Sequence, residues 1–377
     1  MDKRSGNEIF GKEYRMQFAT FVGVDLHKSS VTLAAVDAEG DAVARLTCAT
    51  KCVNQLAAWI DALPKPVWLA VEAVGFVEWF VDRFRETVER IDIADATELK
   101  NLRGKRRKTD RNDALDIAVR LASGDCPLGW TAPPALMRLR KLGRHWHRLS
   151  KTLSRAKHGM SSILLAANLA GPKLDGASAQ RWLLAHGHLL TDVNHDAFRD
   201  LLQVVQLIEW QRATLERDII FANRDPRFAD DIRLIKTVPG VDEILACIIA
   251  AEVGPFDRFP NADALEAWAG LTPDNQESAG RTLSGHITKA GSPTLRWALG
   301  IGGLNLCHSD AKAEAVRQRL CARRVNPVAN TAMGRRLLRI LYAMMRDRKP
   351  YVVGEPRDRT RAANAARDRK RKEVAMA

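Results

Sequence analysis

The chain has 377 residues and is 46% hydrophobic, which gives a folded protein enough length for two or three cores and excludes a wholly disordered chain. Lys and Arg number 59 against 45 Asp and Glu, a formal charge of +14, so long-range attraction favours polyanions, nucleic acid first among them. An ordinary basic surface fits the same charge. The six cysteines, at 48, 52, 126, 247, 307 and 321, are scattered, and no second pair or nearby His completes a zinc set around Cys48 and Cys52. They are expected to be reduced thiols of a cytosolic protein. The first twenty residues lack an apolar h-region and no apolar stretch reaches membrane-span length, so the chain is expected to be soluble.

After an N-terminal extension (1–19), short β-branched runs predict strands over 18–25 (FATFVGVD), 31–36 (VTLAAV) and 41–47 (DAVARLT). A helix is predicted over 55–63, a buried strand over 66–72 (PVWLAVE), a helix over 76–88, a brief strand over 91–94 and a helix over 113–122. Three meandering strands followed by alternating helix and strand predict an α/β RNase H-like sheet over 20–130. From 131 to 230 the strand signals stop. Long, charged, heptad-like segments at 136–170 and 198–222 predict a helical coiled-coil region. A mainly α unit is expected over 231–350. Within it, 237–241 (TVPGV) before an apolar run fits either a helix-hairpin-helix turn holding phosphate or a tight turn between core helices. A basic tail follows over 351–377, poor in apolar residues and expected to order only on nucleic acid.

Four carboxylates carry the chemistry. Asp25 closes the first predicted strand and Glu72 the fourth, which this topology makes neighbours, while Asp110 and Asp113 lie three apart at a helix start and share a face. Hard oxygen donors gathered at one edge suit Mg²⁺ or Mn²⁺, and two such ions ~4 Å apart serve phosphoryl transfer. Singly, each residue has a plainer reading as turn former, solvated acid, N-cap or helix-dipole partner. Glu78, Asp82 and Asp116 are expected to be ordinary helix-face charges. The basic run over 100–108 (KNLRGKRRK) places Lys100, Arg103, Lys105, Arg106, Arg107 and Lys108 beside this site, as a phosphate grip or as a solvated loop.

The runs GVDLHKSS (23–30), VEAVGFVEW (71–79) and KTDRNDALDIA (108–118) resemble the DEDD domain of the insertion-sequence-110 family of transposases. In the C-terminal third, TVPGVDEILACIIAAEVG (237–254), FDRFPNADALEAWAGLTP (256–273) and NQESAGRTLSGHITKAGSPTLRWAL (275–299) resemble the second domain of the same family. The resemblance implies a bacterial, nucleoid-associated recombinase. Its RuvC-like domain would hold Mg²⁺ through Asp25, Glu72, Asp110 and Asp113, and a serine of its C-terminal serine transposase domain would attack DNA. That serine falls at Ser278, with Ser284 in reserve, because Ala279 stands where the family commonly has glycine. Arg281, His286, Lys289 and Arg296 could offset phosphate charge or simply face DNA. The resemblance also implies donor and target DNA, a structured bridge RNA contacted by the basic run, the helical middle and the tail, and assembly as a dimer or tetramer in which sites of different chains meet. Two other readings use the same residues: a structure-selective nuclease in which water attacks, and a non-catalytic nucleic-acid-binding remnant.

Overall fold

A computed structural model describes residues 12–103, 110–278 and 281–353, with only the backbone described at 12, 13, 97, 103, 110–112, 275–278 and 281–285. The chain divides into two units, Met1–Thr131 and Ala132–Ala377.

A four-residue helix, α1 (Lys12–Arg15), precedes the sheet of the first unit. Strand β1 (Thr20–Leu26) is buried along its whole length, because it pairs antiparallel with β2 (Ser30–Val36) on one side and parallel with β4 (Val67–Glu72) on the other. Continuous apolar runs are what a strand covered on both faces requires. Strand β3 (Ala42–Ala49) lies at the edge beside β2, and its alternating exposure leaves one face to water. Helices α2 (Val53–Asp61) and α3 (Val77–Phe84) bring Leu56, Ile60, Phe80 and Phe84 against Val22, Val24, Leu69 and Val71 on one sheet face. Strand β5 (Arg90–Ala94) runs parallel to β4, and the two-residue β6 (Leu128–Gly129) completes the order β3-β2-β1-β4-β5-β6. This mixed sheet fits an RNase H-like N-terminal domain. Between β5 and β6 lie α4 (Ala96–Arg103) and α5 (Asp110–Ser123). Leu99 of α4 and Ile117, Ala118 and Leu121 of α5 pack with Phe21, Trp68 and Ala70 on the opposite face.

Two expectations change here. Helix α3 ends at Phe84, four residues before the predicted end, because Thr87 N bonds Phe84 O in a turn that leads into β5. The start of the basic run, drawn as loop, belongs to α4. Asp95 accepts from Glu98 N at 3.0 Å and buried Leu99 anchors the turn, so Lys100 and Arg103 stand on a helix. Lys105, Arg106, Arg107 and Lys108 lie outside the described residues, as does the tail beyond 353.

The second unit is nearly all helix. The hairpin expected from the heptad-like segments is α6 (Pro134–Ala166) and α8 (Asp192–Ala222), which share a core of Leu153, Met160, Leu164, Phe198, Leu202 and Val205. Between them lies α7 (Gly176–His186), which the sequence reading missed, followed by a short 3₁₀ turn, Gly187–Leu189. Asp175 caps α7 by accepting from Ser178 N at 2.8 Å, and this hydrogen bond holds its carboxyl below the usual range. Helix α9 (Pro226–Ile235) leads through 236–242 to α10 (Glu243–Val253), whose residues Ile244–Val253 are all buried. The intervening turn bends at Gly240, with φ +82°. A Cβ there would lie 2.3 Å from that of Asn305, whose side-chain amide donates to Gly240 O at 2.9 Å. The TVPGV segment is therefore a tight turn between core helices. A 3₁₀ turn (Phe256–Arg258) and α11 (Ala262–Trp268) precede a hairpin of β7 (Pro273–Ser278) and β8 (Arg281–Ile287). Three helices close the unit: α12 (Pro293–Ser309), α13 (Ala311–Cys321) and α14 (Asn326–Asp347).

Candidate catalytic carboxylates and the C-terminal hairpin

Side-chain parity sets the first site. Along β1, Val22, Val24 and Leu26 face α2 and α3, so Gly23 and Asp25 face the side covered by α5. Along β4, Leu69 and Val71 share that first face, so Ala70 and Glu72 share the second. Gly23 pairs with Ala70 and Val24 with Val71, and the next step of this parallel register brings Asp25 level with Glu72 at the carboxyl edge of both strands. Adjacent parallel strands lie ~4.8 Å apart, so both carboxylates leave the same edge on the same face.

Gly23 is what lets α5 reach this face. A Cβ there would lie 2.1 Å from Ala114 O and 2.5 Å from Ala118 N, so only glycine admits the helix backbone so close. From Gly23 to Asp25 the strand advances ~6.6 Å, and from Ile117 back to Asp113 the helix retreats ~6 Å. Asp113 lies on α5 one turn before Ile117, and the side chains of Asp113 and Asp25 are both buried. Asp110 begins the same helix one turn earlier, and its side chain lies outside what is described. Among the described residues no three His, Cys, Asp or Glu side chains come close enough to form a complete metal site. Glu78 and Asp82 sit on α3, beyond the opposite sheet face, and Asp116 bonds Arg120 one turn along α5 at 2.9 Å.

His27 adds a polar neighbour that the sequence motifs do not single out. Its Nε2 lies 3.1 Å from Asp25 Oδ2, while its backbone is held by His27 N to Ser30 O at 2.9 Å and by the Thr50 hydroxyl donating to His27 O at 2.9 Å. The signal was available: in a strand, residues two apart emerge on one side.

The second candidate centre is the β7–β8 hairpin. Ser278 is the last residue of β7 and pairs with Arg281, while Ser284 pairs with Asn275 farther down the ladder. The side chains of Ser278, Arg281 and Ser284 lie outside the description. The base of the hairpin is held tightly. Thr288 N donates to Thr272 O at 3.0 Å and Lys289 N to Gly270 O at 3.1 Å. The two segments cross so closely that a Cβ on Gly270, whose φ is +68°, would lie 2.4 Å from Ala290 N. Arg296 spans the crossing, donating to Gly291 O at 2.5 Å and Ala269 O at 3.3 Å, and its partial burial lowers its pKa. The sequence reading offered Arg296 as a nucleic-acid contact, and the structure gives its guanidinium this bracing role. His286 and Lys289 are exposed beside the hairpin, Lys289 in the left-handed region at φ 56°.

His147 of α6 stacks on Trp297 of α12 with centroids 4.3 Å apart, and its Nδ1 lies 3.0 Å from the Thr294 hydroxyl. Burial first, then the nearby Lys151, push its pKa down to about 4, against a smaller opposing pull from Glu252. Glu252 is itself gripped by the Arg144 guanidinium at 2.7 and 3.0 Å.

Comparison with known proteins finds two family models along the chain. Residues 22–168 match the family model of the IS110 DEDD transposase domain, and 232–318 match the model described as Transposase IS116/IS110/IS902 family. All four carboxylates fall in the first match and both serines in the second. Two Sinorhizobium fredii proteins are similar. One, provisionally named transposase y4pF/y4sB, is 26% identical over 45% of this chain and 45% of its own length. The other, provisionally named transposase y4qE, is 24% identical over 52% of this chain and 47% of its own. The matched stretch therefore spans about half the length of each relative. Two family models met in order along one chain are not a chance motif: the chain belongs to the IS116/IS110/IS902 family of transposases.

Proposed function

We propose that this chain cleaves and rejoins DNA strands as the recombinase of an insertion sequence. In this reading Ser278 is the nucleophile, and Asp25, Glu72, Asp110 and Asp113 hold divalent metal. The observation that supports it most is the register that makes Asp25 and Glu72 level, with Asp113 carried to the same face by α5. The donor chemistry fits: the described members are carboxylates, hard oxygen ligands suited to Mg²⁺ or Mn²⁺, and two of them, Asp25 and Asp113, are buried, where a cation would best offset a carboxylate's lost hydration. When bound, such an ion neutralises phosphate charge and favours ionisation of an attacking hydroxyl.

The chain's own residues do the rest. The Ser278 hydroxyl gives up its proton and its oxygen bonds to phosphorus, while the bond to the leaving DNA oxygen breaks and that oxygen is protonated. The phosphoserine link keeps the energy of the broken bond, so the reverse attack by a DNA hydroxyl rejoins a strand. Hydrolysis would discard it. His27 orients Asp25, and the braced hairpin base fixes the strand that bears Ser278. Lys100, Arg103, Lys105–Lys108, Arg281 and Lys289 are proposed phosphate contacts. A structured bridge RNA that pairs with target and donor, and a homo-oligomer, complete the reading.

The test is the covalent adduct. Ser278→Ala should abolish protein–DNA adducts while DNA binding stays within about twofold, and Ser284→Ala should leave adducts in place. Adducts at full yield in Ser278→Ala would move the nucleophile to Ser284. Cut DNA with free ends and no adduct from the unaltered protein would favour the nuclease reading, with water attacking.

A further inference from the structure

Helix α6 has a charge distribution that the proposed chemistry leaves unused. Its 33 residues contain eight Lys and Arg and no Asp or Glu. Its hairpin partner α8 is opposite in kind, with six Asp and Glu against three Arg over 31 residues. Part of the α6 charge is spent inward: Arg144 holds Glu252, and Lys157 meets Glu209 at 2.9 Å. Arg140 also turns inward, donating to Ala251 O at 2.6 Å and Glu252 O at 3.1 Å, and the remaining Lys and Arg residues face water. Arg138, His145, Arg148, Lys151, Arg155 and His158 are all exposed, at steps of three to seven residues along one winding band. Among the described residues, Arg138, Arg148, Lys151 and Arg155 enter no ion pair.

We infer that this band of α6 is a docking surface for the phosphodiester backbone of duplex DNA. The band runs from Arg138 to His158, about 30 Å of helix, close to the ~34 Å of one DNA turn. Cations repeated along one helix match the regular charge of a duplex, which carries about one phosphate per 3.4 Å of each strand. Single-stranded partners call for aromatic stacking platforms, and the exposed residues of this band include no Phe, Tyr or Trp. Contacts of this kind hold and orient DNA without reading its sequence. DNA, and not RNA, is the occupant because strand exchange on DNA is the activity proposed above, and the inference rests on that reading to this extent.

The experiment uses the full-length protein in EDTA, so that no cleavage occurs and its result is separate from the adduct test. A labelled ~30 bp duplex and a structured RNA of equal length are titrated at several salt concentrations. Arg148→Gln/Lys151→Gln/Arg155→Gln should weaken duplex binding by at least about tenfold at 0.1 M salt. It should also flatten the log–log salt slope by roughly three, about one for each phosphate that no longer meets a cation. Arg148→Lys/Arg155→Lys should keep both values near those of the unaltered protein. A control of equal charge change, Lys173→Gln/Arg181→Gln/Arg217→Gln, should alter duplex binding less than about threefold. An unchanged duplex slope, an equal weakening in the control, or a greater weakening on RNA than on duplex DNA would each overturn the inference. Melting curves of the α6 variant should overlay the unaltered protein, since its three side chains are exposed; a variant that melts early is replaced by the single substitution Arg155→Gln, whose slope should flatten by about one.

Discussion

Both units bury carboxylates, and they treat them differently. In the second unit Glu252 and Glu266 are each clamped by guanidinium groups: Arg144 on Glu252, and Arg335 at 2.6 Å with Arg339 at 3.0 Å on Glu266. Such pairs fix helices to one another, each acid matched by guanidinium groups from a neighbouring helix. In the first unit Asp25 is buried at a strand edge, level with Glu72, Asp113 is buried on α5 over the same sheet face, and the imidazole of His27 meets Asp25. Burial alone therefore does not mark a catalytic acid. What separates the two sets is whether several acids face one edge or each is matched to its own cation.

That contrast can be broken by substitution. Asp25→Asn should lower metal-dependent adduct formation by roughly 10²–10³-fold, as expected when a charged group acting on the transition state is removed, with a melting temperature close to the original. A large drop in melting temperature would make Asp25 a structural acid like Glu266. Glu266→Gln should do the reverse: a loss of about 3 kcal/mol in denaturant unfolding, because two guanidinium groups then face a neutral amide, with adduct chemistry intact in the folded fraction. Gly23→Ala joins the two effects. Its Cβ would push α5 away from β1, costing about 2 kcal/mol and displacing Asp113, so adduct yield should fall further than stability explains.

The smallest effect concerns His147, which stays neutral in the folded state down to about pH 4, against 6.5 when unfolded. Its depressed pKa gives stability that is complete above pH 6.5 and lost as pH falls toward 4, on the order of 2 kcal/mol. Unfolding followed across that window should show the loss in the unaltered protein and a flatter profile in His147→Gln.

Much of the first unit was legible in the sequence because β1, β2 and β4 are apolar almost throughout, and such strands have few places to go but the centre of a sheet. The level placement of Asp25 and Glu72 follows from those runs and the parallel pairing. Helix α4 was hidden because its hold on the core is chiefly Leu99, set in a basic stretch without apolar periodicity. Helix α7 was hidden for a similar reason: its start depends on the Asp175 cap and its buried residues are few. The His27–Asp25 contact and the crossing at Gly270 were beyond periodicity altogether, since one depends on side-chain direction and the other on segments that meet only after folding. Arg296 shows the converse, a basic residue near a candidate site whose guanidinium also braces the backbone.

The all-round burial of α10 has a consequence for how the chain is made. Its covering comes partly from α6, about a hundred residues earlier, and partly from α12, which begins forty residues after α10 ends. While the ribosome adds those forty residues, the apolar run Ile244–Val253 has no complete shelter. The first unit, whose strands are all in hand by Gly129, can fold in the meantime. A chain stopped just after Val253 should therefore carry a finished sheet joined to a sticky helical stump.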